Sequence, residues 1–278
     1  MQKYIFTLSI IFLLIIQSDI FTKLHAQTPT GLTMTVQPAF EGNFKNGEWL
    51  PIFVTLTNNS TDFQGEIVVS VQAQEGELTF VRPVDLPSGS RKQYTIYILP
   101  NNFSRSIDVH LKQDDTSLIV QSVPIIRQQN DRYLIGVIAI NPDNLNILSL
   151  IELPGRRESP EIISFTLEQI PDKIEGLRML DALIINDIDT SALTSQQRTT
   201  LKDWVIGGGR LIIGGGVGVN RTLSGIPHEL IFVEVHGQQD NQSLTLTLED
   251  YTGETINTSG PFLMTHVQPQ DSATAARP

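Results

Sequence analysis

The chain contains no cysteine. That absence excludes disulfides, thiolate-ligated zinc, iron–sulfur clusters and any cysteine nucleophile. Aromatic residues are sparse at 7% and charged residues make up 18%. Positive charge is in deficit: 19 Lys and Arg stand against 30 Asp and Glu, a net charge of −11. An acidic surface repels phosphate backbones and anionic headgroups, which argues against nucleic acid and against polybasic docking to membranes. No apolar run reaches the roughly 20 residues of a comfortable bilayer span. With 40% hydrophobic residues the chain is still too apolar to be disordered. Its 278 residues suit two domains, at roughly 100–200 residues per domain.

The N-terminus reads as an address. Met1-Gln2-Lys3 is a short basic start, and Tyr4 to Ile16 is apolar except for Thr7 and Ser9. This fits the core of a secretory signal, followed by a polar stretch to a cleavage site at Leu24-His25-Ala26. Leu24 is large for that site, so an uncleaved N-terminal anchor is the alternative. Residues 1–26 are expected to be the signal peptide, and the protein to be exported, either secreted or membrane-anchored.

Residues 27–126 carry the period of half-buried strands. Leu32/Met34/Val36, Leu50/Ile52/Val54/Leu56, Ile67/Val69/Val71, Tyr94/Ile96/Ile98 and Ile107/Val109/Leu111 alternate with other residues. Glu41-Gly42-Asn43, Asn58-Asn59-Ser60, Pro87-Ser88-Gly89 and Pro100-Asn101-Asn102 supply turns. The expectation is an all-β immunoglobulin-like sandwich, with Trp49 packing its edge rather than binding a ligand.

From Tyr133 the pattern changes. Tyr133–Ile140, Ile162–Ile170, Leu180–Asn186 and Arg210–Ile213 read as buried strands. Thr194 and Gln197 form a capping-box pattern ahead of Leu201, Trp204 and Val205, and Gly207-Gly208-Gly209 stops that helix. Strand, helix, glycine stop and strand predict a βαβ unit with a parallel sheet.

The run from Leu180 to Gly216 resembles bacterial envelope proteins with a class I glutamine amidotransferase-like domain. The features that match are the strand ending at Asn186-Asp187, the Leu201/Trp204-Val205 helix, and the triple glycine before Leu211–Gly215. Residues 47–57 resemble the sandwich that precedes this domain in such proteins. The resemblance implies an α/β flavodoxin-like second domain over residues 131–267, incomplete at Pro278, with a disordered tail at 268–278. It also implies further strands and a C-terminal membrane helix beyond this chain. Gly214, Gly215 and Gly216 stand where the family's enzymes carry the nucleophilic cysteine. The implied relative is therefore non-catalytic, because glycine cannot supply a thiolate.

One candidate ligand site follows from the strand ends. Asp187, Asp189 and Ser191 form D-x-D-x-S where open α/β sheets bind ligands, next to Gly214, Gly215 and Gly216. Three hard oxygens could hold Mg²⁺ or Ca²⁺. The plainer alternative is that both carboxylates end a strand and cap a turn. The glycine-rich stretch 207–218 fits no phosphate-loop spacing, and His228, His236 and His266 have no ligand partners at helical spacing. No base–nucleophile pair can be read, so a hydrolase is disfavoured, and no cofactor or metal is assigned. The sequence leads to an exported, non-catalytic cell-envelope binding or scaffold protein, its partner another envelope protein. The alternative is a ligand- or divalent-metal-binding sensor using the crevice at Asp187 and Gly214.

Overall fold

The computed structural model describes residues 31–73, 76–155, 158–241 and 262–269, together with Glu249, Asp250, Gly253 and Thr255. The expected signal segment, residues 1–26, and most of the expected tail at 268–278 lie outside the described residues. In chain order the first strands are β1 (Leu32–Pro38), β2 (Asn43–Lys45), β3 (Leu50–Asn58), β4 (Phe63–Ala73), β5 (Gly76–Leu86), β6 (Arg91–Ile98), β7 (Ser106–Gln113), β8 (Thr116–Pro124) and β9 (Ile126–Gln128). They form two antiparallel sheets, ordered β1-β3-β6 and β5-β4-β7-β8, and β2 pairs β9 in parallel beside them.

The alternation dictates these sheets. Ile67, Val69 and Val71 of β4 lie opposite Leu111, Val109 and Ile107 of β7, and all six are buried. Polar neighbours such as Ser106 and Asp108 turn outward on the same strand. β3 departs from the rule: Leu50, Ile52, Val54 and Leu56 are buried, but so are Pro51 and Phe53 on its other face. A strand buried on both faces needs cover on both.

That second cover comes from the C-terminal half. Its strands β10 (Leu134–Ala139), β11 (Glu161–Ser164), β12 (Ala182–Asn186) and β13 (Arg210–Ile213) make a parallel sheet ordered β11-β10-β12-β13. The loop between β11 and β12 lies on the outer face of the three-stranded sheet. Thr35, Gln37, Phe53, Thr55 and Gln93 share a cleft with Thr166, Glu168 and Gln169. Gly176 sits so close to Pro51 and Pro171 that a Cβ there would be 2.9 Å from the Pro51 ring. One apolar cluster consequently runs from Val69 and Ile107 through Ile52 and Phe40 to Phe165, Leu134, Leu183 and Trp204.

The join is built from few residues. Phe40 is fully buried and meets Phe165 edge-on, with ring centroids 5.1 Å apart. It is held at φ 54° and Glu41 at φ 55°, in the left-handed region that costs a side-chain-bearing residue about 1–2 kcal/mol. Asn43 stabilises this turn by donating from Nδ2 to the Phe40 carbonyl at 2.8 Å, and accepts from Gln128 at 2.7 Å. Beside it Lys45 Nζ meets Asp181 Oδ2 at 2.8 Å, and the same oxygen accepts from the Leu134 backbone at 2.9 Å.

The expected class, an immunoglobulin-like sandwich followed by an α/β flavodoxin-like (class I glutamine amidotransferase-like) domain, is corrected by these elements. The molecule is mainly β, and no doubly wound flavodoxin-like domain is formed among the described residues. Two of the three crossovers in the parallel sheet hold only 3-10 turns among the described residues, at Pro142–Leu150 and at Leu167–Gln169 with Ile174–Gly176. Pro154, Pro160 and Pro171 interrupt these segments, and proline inside a helix removes a donor and clashes with the preceding turn, whereas Pro142 only opens its 3-10 turn. The β12–β13 crossover alone carries a full helix, α1 (Ser195–Ile206). Thr194 and Gln197 close its capping box, and the Gln197 amide also donates to the Leu167 and Ile170 carbonyls. A short α2 (Val219–Leu223) and the antiparallel pair β14 (Val233–Asn241) and β15 (Phe262–Pro269) follow. The candidate strand at Ile162–Ile170 is shortened to β11.

Two outcomes are expected from this packing. Phe165→Ala should cost about 3–5 kcal/mol by chemical denaturation, and a loss under about 1 kcal/mol would contradict the shared core. Gly209→Ala places a Cβ into the Trp204 ring. It should lower the unfolding free energy by about 1–3 kcal/mol, whereas an unchanged denaturation midpoint would contradict the close helix stop.

Candidate functional site

The strand-end residues singled out in the sequence are placed at the C-terminal end of β12. Asp187 has φ 51° and its Oδ1 accepts from Arg221 Nη2 of α2 at 2.6 Å. Asp189 Oδ1 accepts from the Ser191 backbone at 2.9 Å and from Ser224 Oγ at 3.2 Å. The Ser191 hydrogen bonds hold the Asp189 carboxyl below the usual carboxylate range, helped by Ser224 and Arg221. Gly214 packs against the Asn186 side chain, and the Gly215 and Gly216 carbonyls accept from Thr265 Oγ1. The two carboxylates thus converge on α2, one on Arg221 and one on Ser224, where they tie the turn Thr190–Ala192 to the helix. Among the described residues no group of three His, Asp or Glu is arranged to hold a metal ion.

A different place has the shape of a binding site. β5 and β6 are each an edge strand, one in each antiparallel sheet, joined through the turn at Pro87–Ser90. Near that turn, side chains bridge the gap between them. Lys92 Nζ and Tyr94 Oη donate to the Asp85 carbonyl at 2.8 and 2.9 Å, and Arg82 donates to the Thr95 carbonyl. Farther out lies an open groove of about 760 Å³. Its walls include Trp49, Phe80, Arg82, Tyr97, Lys173 and Glu175.

Each wall residue is set by its element. Trp49 precedes β3 and meets Phe80 of β5 edge-on, at 6.2 Å between centroids. Tyr97 lies on the outer phase of β6 and gives its hydroxyl to Asp172 Oδ1 at 2.5 Å, while accepting from the Lys173 backbone at 3.1 Å. Burial, then the Asp172 bond, raises the Tyr97 phenol above its ordinary value, so it stays protonated. These bonds seat the 172–175 loop over the groove. Lys173 Nζ sits 5.1 Å from the Tyr97 ring centroid, and Arg82 lies 5.6 Å from that of Tyr94. Such cation–π contacts hold a charge in place at modest energy. Among the described residues neither cation has a carboxylate partner, unlike Lys45, Arg132, Lys202 and Arg221.

The groove therefore combines aromatic surface with two cations and one carboxylate, Arg82, Lys173 and Glu175, on a chain of net charge −11. Sequence reasoning assigned Trp49 to edge packing and missed Phe80, Arg82, Tyr97 and Lys173. One signal was available: Tyr97 is an aromatic residue in the otherwise polar phase of β6. Lys173 had none, because it reaches the groove from a loop distant in sequence.

Comparison with known proteins gives one family and several remote folds. Residues 31–126 match the model of a domain of unknown function, DUF8726. No curated protein matches the chain. Among solved structures, the chain is similar to Cwp6 from Clostridium difficile at 9% identity, covering 69% of this chain and 38% of that one, with a TM-score of 0.24. It is similar to the sporulation control protein Spo0M from Bacillus subtilis at 9% identity, covering 36% and 50%, with a TM-score of 0.27. A Paenibacillus cycloisomaltooligosaccharide glucanotransferase shows 14% identity, covering 62% and 26%, with a TM-score of 0.28. The chain spans no more than half the length of any of these three.

Proposed function

We propose that this chain is a non-catalytic, exported cell-envelope binding or scaffold protein, and that its partner, another envelope protein, docks in the Trp49 groove. The observation that carries this reading is the convergence on one open groove of Trp49, Phe80 and Tyr97 with Arg82 and Lys173, which have no carboxylate partner among the described residues. Binding sites of this size are lined by apolar and aromatic groups, with a few polar ones that fix orientation. Aromatic residues and arginine are also the types that dominate binding energy at protein interfaces. Export rests on the apolar segment Tyr4–Ile16 behind a basic start. The absence of cysteine removes any thiolate nucleophile, which accords with the non-catalytic part.

Site-specific photocrosslinking in the producing cell tests this. A benzophenone side chain at Trp49 should give one discrete adduct with a second envelope protein, in the extracytoplasmic fraction. The same group at Val120, 55% exposed on β8, should give none. Equal adducts from both positions, no adduct at Trp49, or a protein confined to the cytoplasm would contradict the proposal.

A further inference from the structure

The groove has a property that aromatic and charged side chains alone do not require: both of its long walls are unpaired strand edges. In an antiparallel ladder a residue turns its N–H and C=O to the same side, and alternate residues turn the same way. The Asp85 carbonyl points away from β4, since it accepts from Lys92 and Tyr94 of β6. Pro83, Val81 and Thr79 share its parity and turn toward the groove. Pro83 fits this assignment, because a proline is tolerated in a strand where no ladder donor is needed. On β6 the Thr95 carbonyl faces the groove to accept from Arg82, and Tyr97 shares its parity. Pro51 lies opposite Tyr97 across β3, the pairing that needs no proline donor. Among the described residues no acceptor meets the backbone N–H of Thr79, Val81 or Tyr97 on this side.

We infer that the groove takes an extended, acidic peptide segment of the partner, which adds as a strand to the free edge of β5. This rests on the groove reading above and specifies what enters. Main-chain hydrogen bonds to Thr79 and Val81 supply the register, in the manner of strand addition to an exposed sheet edge. Side chains of a strand alternate between faces, so such a segment presents carboxylates and apolar groups in turn. The carboxylates meet Arg82 and Lys173, which form no ion pair among the described residues, and the apolar groups meet Trp49 and Phe80. Glu175, also in the groove wall, selects against a segment that is acidic throughout. A sugar chain fits less well. Trp49 and Phe80 stand at 78° to each other, and Lys173 already occupies a face of Tyr97, so no continuous flat aromatic platform is offered.

The test uses the full chain and fluorescein-labelled Ser-Glu-Val-Glu-Val-Glu-Ser, read by fluorescence anisotropy. Three comparisons run beside it: the same peptide N-methylated along its backbone, its lysine-for-glutamate counterpart, and an oligogalacturonate as competitor. The acidic peptide should bind, and N-methylation or Lys-for-Glu exchange should abolish the signal. Lys173→Glu should weaken binding by about tenfold, the scale of one charge-assisted contact. Val81→Pro should weaken it by about fivefold or more through one lost hydrogen bond, with an unchanged melting temperature showing that the edge strand still folds. No binding of the acidic peptide up to millimolar concentration would overturn the inference. Equal binding of the N-methylated peptide, or of wild type and Val81→Pro, would overturn strand addition while leaving the Trp49 groove as the docking place. Displacement of the peptide by oligogalacturonate at lower concentration than unlabelled peptide would overturn it in favour of an acidic glycan.

Discussion

The structure depends on one constraint: β3 is buried on both faces. Its inner face closes the two antiparallel sheets over Ile52, Val54 and Leu56, and its outer face, at Pro51 and Phe53, needs a second cover. The loop between β11 and β12 supplies that cover. Phe40, held at an unfavourable backbone angle, bridges the two through its edge contact with Phe165. Full burial of a phenylalanine stabilises by about 1.5–3 kcal/mol, which offsets the left-handed penalty at Phe40. Lys45 and Asp181 add a nearly buried ion pair at the same join. Such pairs contribute little net stability, but they penalise any arrangement in which either charge loses its partner.

The groove is a consequence of that join. Two sheets packed face to face leave their edge strands at the mouth, and β5 and β6 are both edges. A sandwich alone would present a bare edge there, which natural proteins usually blunt. Here Arg82, Lys92 and Tyr94 bridge the half nearest the turn, and the loop carrying Asp172 and Lys173 walls the other half. The cover of β3 and the wall of the groove are thus one loop, fixed by the Tyr97–Asp172 hydrogen bond. The carboxylates at the end of β12 are engaged within the fold: Asp187 meets Arg221, and Asp189 caps the next turn.

Much of this was legible in the sequence, where local periodicity decides the outcome. The alternations of β3, β4 and β7, the capping box of α1 and its glycine stop are local signals, and each matches an element. The crossovers of the parallel sheet misled, because a buried strand pattern implies a covering layer without saying what it is made of. Pro142–Leu150 covers its part of the sheet as a 3-10 segment that leaves Ile147 and Leu150 exposed. The groove was beyond reach for a different reason. Phe80, Tyr97 and Lys173 come together only through sheet order and interlayer packing, which no spacing in the chain encodes. Phe53 and Tyr97, apolar or aromatic in the polar phase of their strands, were the two local traces of the second layer.

A preformed groove between β5, β6 and the 172–175 loop requires the antiparallel sheets and the parallel sheet to be a single cooperative body. Differential scanning calorimetry of the chain tests this most directly. A single transition, with calorimetric and van't Hoff enthalpies equal, is the expected result for one shared core. Two resolved transitions, or a van't Hoff enthalpy far below the calorimetric one, would show that the halves unfold independently and would remove the loop from the groove.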